Sequence, residues 1–191
     1  MQDLPNNGSD NSDNSNHIGG SKSSHSSTDQ HTLWSLIADI KFGMLTHRHS
    51  DGQLHSAPLT TQNKKDDDGN ALYFFISRKS EIAKCVVSEP NVNVAYSHPG
   101  NDTYVSISGA AEIIEDQTKK DYLFTSFAKA WFPGGATDPD MALLQVNIGH
   151  AAYWNVEESK MTQLAKMAKA VVTGETPKNM GEHKELNLSS S

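Results

Sequence analysis

Residues 42–61 read FGMLTHRHSDGQLHSAPLTT, two runs of alternating character on either side of Asp51-Gly52. Phe42-Gly43-Met44-Leu45-Thr46 begins a strand, Asp51-Gly52 is a strong two-residue hairpin signal, and 54–61 reads as the returning strand. The chain thus enters an antiparallel meander.

The segments on both sides extend this pattern. Upstream, Ser27-Thr28-Asp29 offers a helix N-cap, and Leu33, Trp34, Ile37 and Ile40 recur at helical spacing. Downstream, Asp66-Asp67-Asp68-Gly69 turns the chain into the apolar and aromatic run 71–76, read as a strand covered on both faces. Ser80 caps a short helix through residue 87, which Glu89-Pro90 ends. Val92, Val94 and Tyr96 alternate with polar residues up to a turn at 98–101, and 104–115 forms a long strand in which Gly109 marks a bulge or a close backbone approach. A helix is expected over 117–131, with Tyr122, Leu123, Phe127, Ala130 and Trp131 on one stripe. Residues 141–146 and 151–156 read as last strands, or as one long strand with a bulge at 147–150, before an amphipathic helix over 158–172. Strands arriving as hairpins, with helices at a few joints, make a mostly β antiparallel barrel with added helices rather than a βαβ sheet.

Composition sets the limits. The chain has 191 residues, and the first 28, rich in Ser, Asn, Asp, Gly and His, bury too little apolar surface to repay ordering, so a disordered tail is expected. One domain is expected over 29–174, followed by a loose polar end over 175–191. The formal net charge of −7, with no basic cluster interleaved with aromatics, argues against nucleic acid as a partner. No apolar run reaches the length of a membrane span, and the one cysteine, Cys85, has no internal partner for a disulfide, so a reducing cytoplasm is expected. Cys85 lies in an apolar stretch and reads as a small buried hydrophobe.

Other chemistry finds little support. The chain has no Gly-x-Ser-x-Gly elbow and no dinucleotide fingerprint after a strand. His47, His49 and His55 would share one face of the hairpin, but no acid or thiolate completes a ligand set, so no metal is expected. No side chain stands out as a catalytic acid or base.

Ala57-Pro58-Leu59, Phe74-Phe75-Ile76-Ser77, Glu89-Pro90-Asn91-Val92, residues 104–112, Trp131-Phe132-Pro133-Gly134-Gly135, Asp138-Pro139-Asp140 and Tyr153-Trp154, in this order, resemble the general stress protein 26 branch of the pyridoxamine 5'-phosphate oxidase-like proteins. The resemblance spans about residues 30 to 160. It implies a six-stranded antiparallel split β-barrel, a homodimer, and flavin mononucleotide (FMN) held at the dimer interface. It places Ala57, Pro58, Leu59, Thr60, Thr61 and Gln62 along the flavin ring, joined by Phe75, Ile76 and Ser77. It assigns the phosphate to the turn at Ser80, with Arg78, Lys79 and Lys84 as available cations, and brings Trp131, Phe132 and Trp154 from the partner subunit. For these aromatics, filling the core or the dimer interface stays open as an alternative.

Two departures from the family pattern matter. Relatives often carry an arginine where Ala57 stands, and basic residues where Glu81 and Ile82 follow the capping serine. A charge-assisted hydrogen bond to the phosphate is worth about 1.5–3 kcal/mol, so their absence weakens the grip on an anion. Two functions therefore follow from the resemblance: an FMN-binding stress protein with flavin-dependent oxidoreductase chemistry open to it, or a non-catalytic dimeric barrel that binds flavin or does without it. Pyridoxamine phosphate itself is not the expected substrate, because the family enzyme's substrate-binding basic residues have no counterpart around Tyr153-Trp154-Asn155.

Overall fold

Alternation in sequence becomes alternation of burial in the strands. Gly43, Leu45 and His47 of β1 (Phe42–Arg48) are buried between exposed Phe42, Met44 and Arg48. Leu72, Phe74 and Ile76 of β3 (Ala71–Ser77), and Val92, Val94 and Tyr96 of β4 (Asn91–His98), point the same way. With β2 (Leu54–Thr60), β5 (Thr103–Ile114) and β6 (Met141–Asn155), they form a six-strand antiparallel path in the order β2-β1-β4-β5-β6-β3. The computed structural model describes residues 22–65, 67, 69–155 and 182–188.

The sheet curls until its two edges nearly meet, where Thr61 bridges Phe74 and Gln62 N–H donates to Tyr73 C=O at 2.8 Å. This is the split barrel expected from the sequence. Leu45, Phe74, Val94, Ile107, Leu144 and Tyr153 fill its interior. Helix α1 (Lys22–Ile40) packs Leu33, Trp34 and Ile37 into that core and touches β4 and β5.

Strand β6 is the longest element. It pairs with β5 along its length on one side, with the register shift falling between Ser108 and Gly109. On its other side, residues 141–147 pair with β3. A Cβ on Gly109 would lie 2.1 Å from the Asn147 carbonyl oxygen, so the close approach holds for this glycine, while the extra residue of the bulge is Gly149 on the facing strand.

Several expectations are corrected. The helix begins at Lys22, before the cap signal at residues 27–29, and Thr32 Oγ1 back-bonds to the Thr28 carbonyl at 3.0 Å inside it. The first hairpin is not a two-residue turn: His49 N–H donates to Gln53 C=O, leaving a three-residue loop with Gly52 at φ 82°. Asp51 Oδ1 accepts from Gln53 N–H at 2.8 Å and fixes that loop. The helix expected over 117–131 splits into α3 (Gln117–Leu123) and a 3-10 turn (Ala128–Ala130), because Phe124 turns to extended backbone. The expected stripe is divided, with Leu123 in the interior and Phe127 and Trp131 exposed, while Phe124 at the break stands beside Phe75, ring centres 6.0 Å apart.

Of residues 141–156, with two strands as one alternative, Met141–Asn155 form a single bulged strand. The C-terminal stretch expected to be loose supplies β7 (Glu182–Asn187), which pairs with residues 150–155 of β6 beyond the reach of β3. Main-chain pairing, with Leu186 buried, suffices where side-chain pattern gave no signal. The helix expected over 158–172 and most of the N-terminal tail lie outside the described residues.

The Gly109 approach gives a stability test. Gly109→Ala is expected to lower unfolding free energy by about 1–3 kcal/mol, since backbone and not a flexible side chain is in the way. Urea denaturation should show a lower midpoint at an unchanged slope.

Candidate functional site

A groove of about 460 Å³ lies on the outer face of the barrel, over the place where β2 and β3 almost meet. Alternation that sends Leu45 and Phe74 inward sends Phe42, Pro58, Thr60, Phe75 and Ser77 outward to line it. The 3-10 turn after α3 forms the facing wall with Trp131 and Phe132. Trp131 is 74% exposed, Phe42 57% and Phe127 52%, an uncovered apolar surface of the kind that marks a binding or assembly face.

One end of the groove is polar. Ser77 Oγ donates to Asp140 Oδ2 at 2.8 Å, and Lys79 N–H donates to Ser77 Oγ at 3.1 Å. Asp140 Oδ1 is buried and accepts no hydrogen bond among the described residues, and Lys79 Nζ stands 3.6 Å from it. Arg78 N–H donates to Asp140 C=O at 2.8 Å, which ties the loop before β6 to the end of β3.

The cations around this end are unequally available. Arg78 makes a bidentate pair with Glu115, at 2.5 and 2.7 Å, and Glu115 Oε2 is also 3.3 Å from the buried Lys120 ammonium. Hydrogen bonds from Arg78, then from Lys120, hold the Glu115 carboxyl down from an ordinary 4.5 to about 2. Lys84 Nζ is 2.6 Å from Glu81 Oε1. Lys79 is 86% exposed, and its ammonium has only the loose contact to Asp140 among the described residues. Ser80 Oγ caps α2 (Glu81–Cys85) by accepting from Ala83 N–H at 3.2 Å, and Glu81 puts a negative charge in the first turn of that five-residue helix.

Of the residues singled out in the sequence, Pro58, Leu59, Thr60, Gln62, Phe75, Ser77, Trp131 and Phe132 are brought together in the groove. The others stand elsewhere. Ala57 packs against the core, Ile76 is inside it, and Thr61 is buried with its hydroxyl 2.7 Å from Tyr96 Oη. Arg78 and Lys84 are engaged by carboxylates and Ser80 by its cap. Trp154 lies at the far end of β6, stacked on His183 with ring centres 4.8 Å apart. Trp131 and Phe132, expected from a partner subunit, line the groove of their own chain.

Sequence reasoning gave no role to Phe42, Phe127 or Asp140. For Asp140 the signal was present, because it stands in an Asp-Pro-Asp motif just before the last long strand. For Phe42 it was a large apolar residue at a position that alternation turns outward; Phe127 was read on a helical stripe and stands instead in the turn before the 3-10 segment.

A family model described as pyridoxamine 5'-phosphate oxidase like matches residues 28–178. The chain belongs to that family. Within it, the chain is similar to general stress protein 26 of Bacillus subtilis, at 30% identity over 98 residues covering 50% of this chain and 66% of the relative. A Jannaschia sp. CCS1 structure assigned to general stress protein 26 has 30% identity and a TM-score of 0.68, covering 84% of this chain and 99% of that one. The general stress FMN/FAD binding protein of Xanthomonas citri has 32% identity and a TM-score of 0.60, covering 68% and 90%. No described helix is long and apolar enough to cross a membrane.

The Glu115 pair predicts an acid dependence. Its carboxyl is lowered on folding, so its contribution to stability is present above about pH 4.5 and is lost as pH falls toward 2. The stability difference between wild type and Glu115→Gln, measured by denaturant unfolding at a series of pH values, should be largest at neutral pH and shrink through that window.

Proposed function

We propose that this chain is an FMN-binding member of the general stress branch, holding the flavin ring in the groove between β2, β3 and the Trp131 turn, with a second copy of the chain covering the exposed apolar face. The observation that carries this reading is the groove itself. At about 460 Å³ it falls within the usual size of small-ligand sites, and it combines an aromatic wall with a few polar groups.

The fit differs between the two ends of the ligand. For the ring, Phe75 and Trp131 offer flat apolar surface, while Thr60, Gln62 and Ser77 offer donors and acceptors at the edge. Gln62 Nε2 already donates to the Thr60 carbonyl at 2.9 Å, which holds the amide in place. For the phosphate, Arg78 and Lys84 are already neutralised by carboxylates, so Lys79 is the cation readiest to serve. When bound, flavin supplies reversible hydride acceptance, and the protein's part is to orient the ring and exclude water.

A second reading, a dimeric barrel that binds flavin without catalysis or does without it, is favoured by Ala57, by Glu81 beside the cap, and by the engaged Arg78 and Lys84. Titration of the purified protein with FMN, read by flavin fluorescence, distinguishes the two. Trp131→Ala is expected to weaken binding about tenfold or more, the scale of one aromatic stacking interaction. Lys79→Ala should weaken it and reduce its salt dependence, whereas Ser80→Ala and Lys84→Ala should cost less. A protein that stays colourless and ignores added FMN would overturn the first reading. Reduction of the bound flavin by NAD(P)H in stopped flow separates enzyme from binder, and size-exclusion chromatography tests the dimer.

A further inference from the structure

The loop between β1 and β2 gathers a second set of functional groups, remote from the groove's chemistry. His47 and His55 are directly opposed across the hairpin, and His49 follows on the same face. The rings of His49 and His55 stack with centres 4.1 Å apart, and that of His47 lies 6.3 Å from each. The left-handed Gly52 folds the loop back so that Asp51 reaches both outer histidines: Oδ1 is 3.3 Å from His49 Nδ1, and Oδ2 is 3.2 Å from His55 Nε2. Asp51 thus supplies the acid that the sequence pattern lacked. Ligand atoms of His49, Asp51 and His55 all fall within 4.8 Å of one another.

Two further observations set this cluster apart from ordinary surface decoration. His47 is 3% exposed, and neither ring nitrogen has a hydrogen-bond partner among the described residues. A buried imidazole without partners is costly, and a polar occupant in front of it would relieve that cost. On the other side, Glu81 Oε2 stands 3.5 Å from His49 Nε2. A carboxylate on the distal nitrogen of a histidine is the usual support for a metal ligand, because it fixes the ring and raises its basicity.

We infer that His49, His55 and Asp51 form a binding site for a divalent transition metal of the zinc class, with Glu81 orienting His49 and His47 facing the fourth, water-accessible position. Two imidazoles and one carboxylate match zinc's preference for nitrogen and hard oxygen donors with one position left open. Tetrahedral zinc with bonds of about 2.0–2.1 Å needs ligand atoms roughly 3.3 Å apart, close to the two Asp51–imidazole separations. The two rings are parallel and His49 Nδ1 also accepts the Asp51 N–H at 3.3 Å, so both rings must turn about their side-chain torsions for the lone pairs to converge on one ion. Its three ligands lie outside the groove lining, and Glu81 is the residue it shares with the turn at Ser80.

The test is calorimetric titration of the full chain with Zn2+. One Zn2+ per chain should bind, with affinity at least about tenfold weaker in His49→Ala, His55→Ala and Asp51→Asn, and unchanged in His98→Ala. Melting curves without metal check that each variant is folded. On the wild type alone, Co2+ should give a tetrahedral ligand-field spectrum, and imidazole NMR signals of His47, His49 and His55 should move together on Zn2+ addition. Absence of saturable binding at about micromolar Zn2+, binding that survives loss of His49 and His55, or imidazole signals that stay in place would each overturn the site.

Discussion

The close pairing of β5 with β6 at Gly109 is the constraint on which the rest of the molecule depends. A single missing side chain lets the Asn147 carbonyl approach, the register shifts by one step, and a fifteen-residue strand bends without losing its ladder. That length gives β6 two partners in succession on its far side, β3 and then β7. The near-closure of β3 against β2 follows, and the groove sits over that seam.

Charge is arranged so that the cations nearest the groove are mostly spent. Arg78 and Lys120 share Glu115, and Lys84 is held by Glu81. Such pairs anchor the ends of β3, β5 and α3 to one another. They also leave an anionic ligand with less free positive charge than the residue types alone suggest, which is why residue identity and residue availability part company at this end.

Much of the candidate site was legible because it follows alternation. Pro58, Thr60, Phe75 and Ser77 reach the groove as outward residues of strands whose inward residues form the core. Ile76 and Thr61, neighbours of groove residues in sequence, are buried for the same reason: one step along a strand reverses the face. The His49–Asp51–His55 cluster was half visible. The histidines' shared face could be read from spacing, but the return of Asp51 depends on the loop geometry at Gly52.

The sequence by itself determined the antiparallel barrel, the hairpins, the short capped helix at Ser80 and the family, because each rests on local periodicity, turn chemistry or an ordered set of motifs. Tertiary structure alone decided the end of α3 at Leu123, the attachment of β7, the pairing of Arg78 with Glu115, and the meeting of Trp131 with Phe75 across one groove. Those interactions join residues far apart in the chain. Their free energy comes from burial and pairing that no local pattern encodes.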